Sequence, residues 1–149
     1  MIKLQEEMRS FNSLQAEING LYHDASAKLG LSDSASCILY SIVELGEGCT
    51  PREIYHRFGI SRQTVHSSVS NLVKKGCLEL RKSGARDQRI FLTEEGRKLV
   101  SEKVMSLFAL ENVLFENWTE KEKKELLRLM SKYRDDLKRL MPKLSIAKD

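Results

Sequence analysis

Apolar residues recur at three- and four-residue steps through Leu4, Met8, Phe11, Leu14, Ile18, Leu21 and Tyr22, the spacing of one helix face. The pattern predicts a helix over about 3–29, weakened locally at Gly20. "LGLSD" ends it, with Gly30 as the C-terminal cap and Ser32 as the next N-cap. A second helix over about 34–45 turns Ile38, Leu39, Ile42 and Val43 inward, and "GEG" closes it. "TPRE" opens a third: Thr50 at the N-cap, Pro51 at the first helical position and Glu53 two residues later form a capping box. That helix is short and stops at "RFG". Gly59 supplies a tight turn, Ser61 caps a fourth helix, and Gly76 ends it.

After Gly76 the period shortens. "CLELRKSGARDQRIFLT" has Leu78 and Leu80 in one apolar run and Ile90 and Leu92 in the next, with basic residues and a glycine between them. It predicts a two-stranded hairpin with a basic tip. Thr93 caps a long helix through Leu99, Val100, Val104, Leu107, Phe108, Val113 and Leu114, broken at Asn117 and Trp118. "TEKE" is a second capping box. The last helix carries Leu126, Leu127, Met130, Tyr133, Leu137, Leu140 and Met141 up to Pro142. The expected architecture is mainly α with a small β-hairpin.

The fourth helix, "ISRQTVHSSVSNLVKKG", is rich in mediocre helix formers: Ser61, Thr64, His66, Ser67, Ser68, Ser70 and Asn71. At about 100° per residue, Val65, Val69, Leu72 and Val73 fall within one arc. Gln63, Ser67, Ser70 and Lys74 lie opposite, flanked by Thr64 and Asn71 on one side and His66 on the other. That polar face holds no carboxylate, which suits a surface meeting phosphates and base edges, and its side chains are short enough to enter a major groove about 12 Å wide. A capped short helix, a turn and a second helix form a helix–turn–helix, whose second helix enters the groove N-terminal end first. Base or phosphate contact is expected of Ser61, Gln63, Thr64, Ser67, Ser70 and Asn71, and phosphate contact of Arg62 and Lys74. His66 sits at the boundary between packing and phosphate. The hairpin puts Lys82, Arg86 and Arg89 within reach of the minor groove.

Charge sharpens this picture. Residues 50–93 hold nine Lys/Arg against three acids, a net +6, while the rest of the 149-residue chain holds 16 against 18, a net −2. One segment carries the whole positive excess, the footprint of a nucleic-acid-binding module. No apolar run approaches the roughly 18 residues that span a bilayer, and "MIKLQEEMRSFN" has neither an apolar signal core nor a cleavage site. A single-domain cytoplasmic protein is expected. Cys37, Cys49 and Cys77 are an odd number without paired spacing, which argues against a disulfide framework or zinc ribbon. Cys37 reads as a buried small hydrophobe. His23, His56, Cys49 and Cys77 show no metal-ligand spacing, so no metal or other cofactor is expected. The chain also has no nucleophile elbow, phosphate-cradling glycine loop or paired acid motif, and so no expected catalytic residue.

The run "ISRQTVHSSVSNLVKKGCLELRKSGARDQRIFLTEEGRKL" resembles the MarR family of winged-helix transcription regulators. The likeness lies in the helix ending "LVKKG", the strand, the basic wing and "LTEEG", and helix order and length agree. The resemblance implies a winged helix–turn–helix lobe at 33–93 between dimerisation helices at 1–30 and 94–142. It implies a homodimer on palindromic double-stranded DNA that regulates transcription, by expectation as a repressor. The apolar Ile2, Leu4, Met8, Phe11, Leu137, Leu140 and Met141, more than one lobe buries, fit such a dimer. Many members bind small aromatic or lipophilic anions, which makes Tyr22, Tyr40 and Phe108 candidate effector contacts, with ordinary core packing the alternative. One departure concerns the wing: where the family has Asp-x-Arg, this chain has Gly84 two residues before Arg86, with Asp87-x-Arg89 out of register. Two other readings remain: a winged-helix adaptor for protein partners, and a thiol-based redox sensor of the same fold.

Overall fold

The computed structural model describes residues 2–83 and 87–144. Helices α1 (Glu6–Lys28), α2 (Asp33–Leu45), α3 (Pro51–Phe58) and α4 (Arg62–Lys74) precede an antiparallel hairpin of β1 (Leu78–Ser83) and β2 (Asp87–Leu92). Then come α5 (Glu94–Leu99), a π-helical turn (Val100–Val104), α6 (Met105–Glu116), α7 (Glu120–Leu140) and a 3₁₀ turn (Met141–Lys143). The mainly α fold with a hairpin wing is as the sequence predicts. The chain divides into two compact units, residues 1–107 and 108–149.

Local side-chain chemistry starts most of the helices. The hydroxyls of Ser32, Thr50, Ser61, Thr93 and Thr119 each accept a first-turn N–H of α2, α3, α4, α5 and α7. Thr50/Glu53 and Thr119/Glu122 form both halves of a capping box, which supplies partners to N–H groups that a helix start otherwise leaves bare. The first helix starts at Glu6 rather than Lys3, with Gln5 as an N-cap that lends no side-chain bond.

The first unit holds the core: Ile38, Leu39 and Ile42 of α2, Ile54 of α3, Val65, Val69 and Leu72 of α4, Leu78, Ile90 and Leu92 of the hairpin, and Val100, Val104 and Leu107 beyond it. The hairpin pairs Leu78 with Leu92 and Leu80 with Ile90, so one face of each strand meets the helices. The long helix expected after Thr93 is interrupted by the π turn, which carries the buried Val100 and Val104.

In the second unit α7 has no buried residue. Leu110, Val113, Leu114, Leu127, Leu137, Leu140 and Met141 are all exposed. In the first unit Ile2, Leu4, Leu14, Ile18 and Leu21 are exposed, while Met8 and Phe11 are half-buried. Among the described residues no helix is long and apolar enough to cross a membrane.

Candidate nucleic-acid interface

The turn between α3 and α4 is built around Gly59, whose φ of +65° is open to glycine at no steric cost. Glu53's carboxyl lies below its ordinary pKa because the backbone N–H and hydroxyl of Thr50 both donate to it. Ser61 then caps α4 through the Thr64 N–H at 3.0 Å. The Ser61 and Thr64 hydroxyls share a hydrogen bond of 2.6 Å, and Ser67 donates to the Thr64 carbonyl at 3.1 Å.

Two groups therefore separate on α4. Ser61, Thr64 and Ser67 spend hydrogen bonds on the helix itself. Arg62, Gln63, His66, Ser70, Asn71 and Lys74 are exposed and have no side-chain partner among the described residues. The buried face is rotated from the expected one. Ser68 is 6% exposed, inside with Val65, Val69 and Leu72, while Val73 is only half-buried. Val73 is a β-branched residue on the rim of the stripe; Ser68 lies under α2.

The wing is held from below. The loop before α3 runs beside β2: Gly48 N–H donates to the Ile90 carbonyl at 2.7 Å and Ile90 N–H to the Cys49 carbonyl at 2.9 Å. Arg89 donates to the Gly48 carbonyl at 2.8 Å, so at least one of its N–H groups ties the wing to that loop. Arg81 lies 4.3 Å over the Phe91 ring and bonds Glu79 at 3.0 Å through Nε. Arg97 donates to the Leu92 carbonyl at 2.7 Å. Lys82 is exposed. Gly84 and Arg86 lie outside the described residues.

Residues 29–90 match the model of the MarR family. Over this segment the chain is similar to the MarR family. The whole chain is similar in fold to a MarR family regulator from Neisseria meningitidis, with 16% identity and a TM-score of 0.83, covering 93% of this chain and 99% of that one. It is similar to a MarR/EmrR family regulator from Acinetobacter, with 22% identity and a TM-score of 0.73, covering 91% and 99%. A third likeness is to the Staphylococcus aureus MarR, solved with salicylate and kanamycin, at 19% identity and a TM-score of 0.68, covering 91% and 92%. No curated protein sequence matches the chain. The fold is thus the MarR winged-helix fold.

Of the effector candidates, Tyr22 and Tyr40 lie in the first unit and Phe108 in the second. Tyr40 packs edge-on to Phe58 with ring centroids 6.3 Å apart. Tyr22 is exposed on α1, and Phe108 belongs to the second unit. Cys37, expected to be buried, is half-buried, because it sits on the flank of α2 beside the Ile38 and Leu39 stripe; Cys49 and Cys77 are buried. Burial raises the Cys37 thiol pKa and pushes that of Cys49 up to about 11, with Glu53's charge adding to it. A thiol held protonated is a poor nucleophile toward peroxide. Among the described residues no group of three metal-ligating side chains occurs. His23 bonds Asp33 at 2.8 Å, joining α1 to the start of α2. Sequence reading gave no role to Arg81, Arg97 or Ser68. Arg81 was the one within reach, since it stands diagonal to Phe91 across the strand pair.

Proposed function

We propose that the protein is a sequence-specific DNA-binding regulator of transcription, without catalytic activity, acting in the cytoplasm as a homodimer on a palindromic operator. The observation that carries this is the outward face of α4, whose exposed Arg62, Gln63, Ser70, Asn71 and Lys74 form an acid-free set with free donors. Gln63 and Asn71 offer amides to base edges, while Arg62 and Lys74 offer charge to phosphates. Lys82, Arg86 and Arg89 of the wing would follow the backbone toward the minor groove, with Arg89 also anchoring the wing. The exposed apolar residues of α1 and α7 suit association with a second copy, which would present two α4 helices about 34 Å apart.

The Staphylococcus relative bound to salicylate supports release by a small aromatic acid. Tyr22, exposed on α1, suits such a ligand better than Tyr40, which is packed on Phe58; Phe108 remains a candidate on the second unit. Repression is the expected mode, since a dimer covering operator DNA excludes polymerase.

Selection of bound duplexes from a random pool, with and without salicylate, tests the reading. A palindromic consensus should emerge, bound by a dimer in sedimentation, with log affinity falling linearly with log salt. Gln63→Ala should alter base preference, and Lys74→Gln should weaken all sequences alike. Indifference to every duplex at physiological salt would remove the proposal.

A further inference from the structure

Between the N-terminal turn of α2 and the C-terminal half of α4 lies a pocket of about 220 Å³, lined by Ser32, Ser34, Ser68, Asn71, Lys74 and Lys75 among others. By a water's share of about 30 Å³, it has room for a phosphate group and a few waters. No carboxylate lines it.

Ser68 is the telling residue. It is 6% exposed, yet its hydroxyl has no hydrogen-bond partner among the described residues. Buried hydroxyls are normally bonded, and a helical serine usually turns back to a carbonyl of its own helix. Ser41 does so on α2, donating to the Cys37 carbonyl at 2.6 Å, and Ser67 does so on α4. Every fully enclosed side-chain polar atom among the described residues has a partner. The Ser68 hydroxyl therefore opens onto the pocket it lines, with its donor unspent.

Three further features favour an anion there. The 13-residue α2 starts at this pocket, and its cap uses only the Ala35 N–H, leaving the Asp33 and Ser34 N–H groups and the positive end of the helix dipole. Lys74 and Lys75 have no ion-pair partner among the described residues. The last carbonyls of α4 do not oppose them: those of Asn71, Leu72 and Val73 accept from the N–H groups of Lys75, Cys77 and Gly76. Asp33, between Ser32 and Ser34 in the chain, does not line the pocket; its carboxylate is hydrogen-bonded to His23 of α1 at 2.8 Å.

We infer that this pocket seats one backbone phosphate of the bound duplex, clamped between the start of α2 and Ser68, Lys74 and Lys75 of α4. The inference rests on the DNA-binding reading above and adds α2 to the interface. A DNA phosphate is favoured over a free anion because Asn71 and Lys74 belong both to the pocket and to the exposed face of α4. The occupant therefore lies at the margin of the surface turned to the groove.

The test uses full-length wild type, Ser68→Ala, Lys75→Gln and the double variant on the selected operator, read by fluorescence anisotropy over a range of salt. Lys75 is exposed, so its variant folds whatever happens at Ser68. Lys75→Gln should lessen the salt slope by about 1 for every sequence. Ser68→Ala should weaken binding about tenfold, as loss of a hydrogen bond to a charged group does, without changing slope or base preference. Methylphosphonates placed one at a time along the operator should find one position per half-site where neutralisation weakens wild type about tenfold and the double variant not at all. Operator binding by wild type, with both variants matching it in affinity and slope, overturns the pocket alone. Wild type that binds no duplex overturns the DNA reading and the pocket with it. Inorganic phosphate that stabilises wild type but not the double variant against heat, with no methylphosphonate-sensitive position, marks a free-anion site and overturns the assignment to DNA.

Discussion

Gly96 stands in the first turn of α5, where helix propensity alone favours alanine. A Cβ built there would lie 2.0 Å from the Cys77 carbonyl oxygen, 3.0 Å from its carbon and 3.3 Å from Leu92 Cδ2. Carbon-to-oxygen contacts settle near 3.3 Å, so the start of α5 would have to retreat by about 1 Å. That retreat strains the Thr93 N–H bond to the Cys77 carbonyl at 3.1 Å and the Thr93 hydroxyl bond to the Gly76 carbonyl at 2.6 Å. Overpacking costs about 1–3 kcal/mol, and two weakened bonds cost about 1 kcal/mol each. Higher helix propensity and a stiffer unfolded chain return about 1 kcal/mol. Gly96→Ala should therefore destabilise by roughly 2–4 kcal/mol, the difference of these terms. Gly20 is the control: it is helical and a Cβ there meets nothing within 4 Å, so Gly20→Ala should stabilise by up to about 1 kcal/mol. Urea unfolding followed by far-UV circular dichroism measures both, at unchanged denaturant slope. Equal or raised stability in Gly96→Ala would refute the close approach of α5 to the Cys77 backbone.

The His23 ring should titrate above its ordinary value near 6.5, because the hydrogen bond to Asp33 and then its charge favour the protonated form. The contribution of this pair to stability is complete below the ordinary value and fades as pH rises through the raised one; Asp33→Asn should bring the ring resonances back down, and an unmoved titration would refute the pairing. Cys49, pushed up to about 11 by burial and Glu53, should resist a thiol reagent at mildly alkaline pH in the native protein and react once the chain is unfolded. Rapid native modification would contradict its burial. Arg89→Ala should lower stability by about 1 kcal/mol and speed hydrogen exchange at the Ile90 amide, which bonds the Cys49 carbonyl beside the Arg89–Gly48 tie. Unchanged exchange would mean the arginine does not hold the wing.

What the sequence makes legible is what neighbouring residues decide. Thr50 with Glu53, Thr119 with Glu122, and the caps at Ser32, Ser61 and Thr93 each act within one turn, so their spacing gives the helix starts. The hairpin is legible for the same reason, as its pairing is between adjacent segments. The contacts that sequence reading misses join residues far apart along the chain. Arg89 meets a carbonyl 41 residues earlier. Gly96 is glycine because the Cys77 backbone passes against it. The π turn at Val100–Val104 has no local mark, since nothing in "VSEKV" departs from ordinary helix composition; it shows only in how Val100 and Val104 enter the core.

The fourth helix shows where the wheel projection falls short. A projection ranks positions by angle and treats every short hydroxyl on the outer side as free for a ligand. In the folded chain Ser61 and Thr64 bond each other, Ser67 bonds the helix backbone, and Ser68 is enclosed under α2. The outward donors that remain unspent are those of Arg62, Gln63, His66, Ser70, Asn71 and Lys74. A donor already used internally discriminates less between bases than one whose partner must come from the groove, because the wrong base leaves the free donor unpaired at a cost of about 1–3 kcal/mol. Base preference should therefore concentrate at Gln63, Ser70 and Asn71 and be weak at Ser61, Thr64 and Ser67, although all six are polar and all belong to one helix or its N-cap.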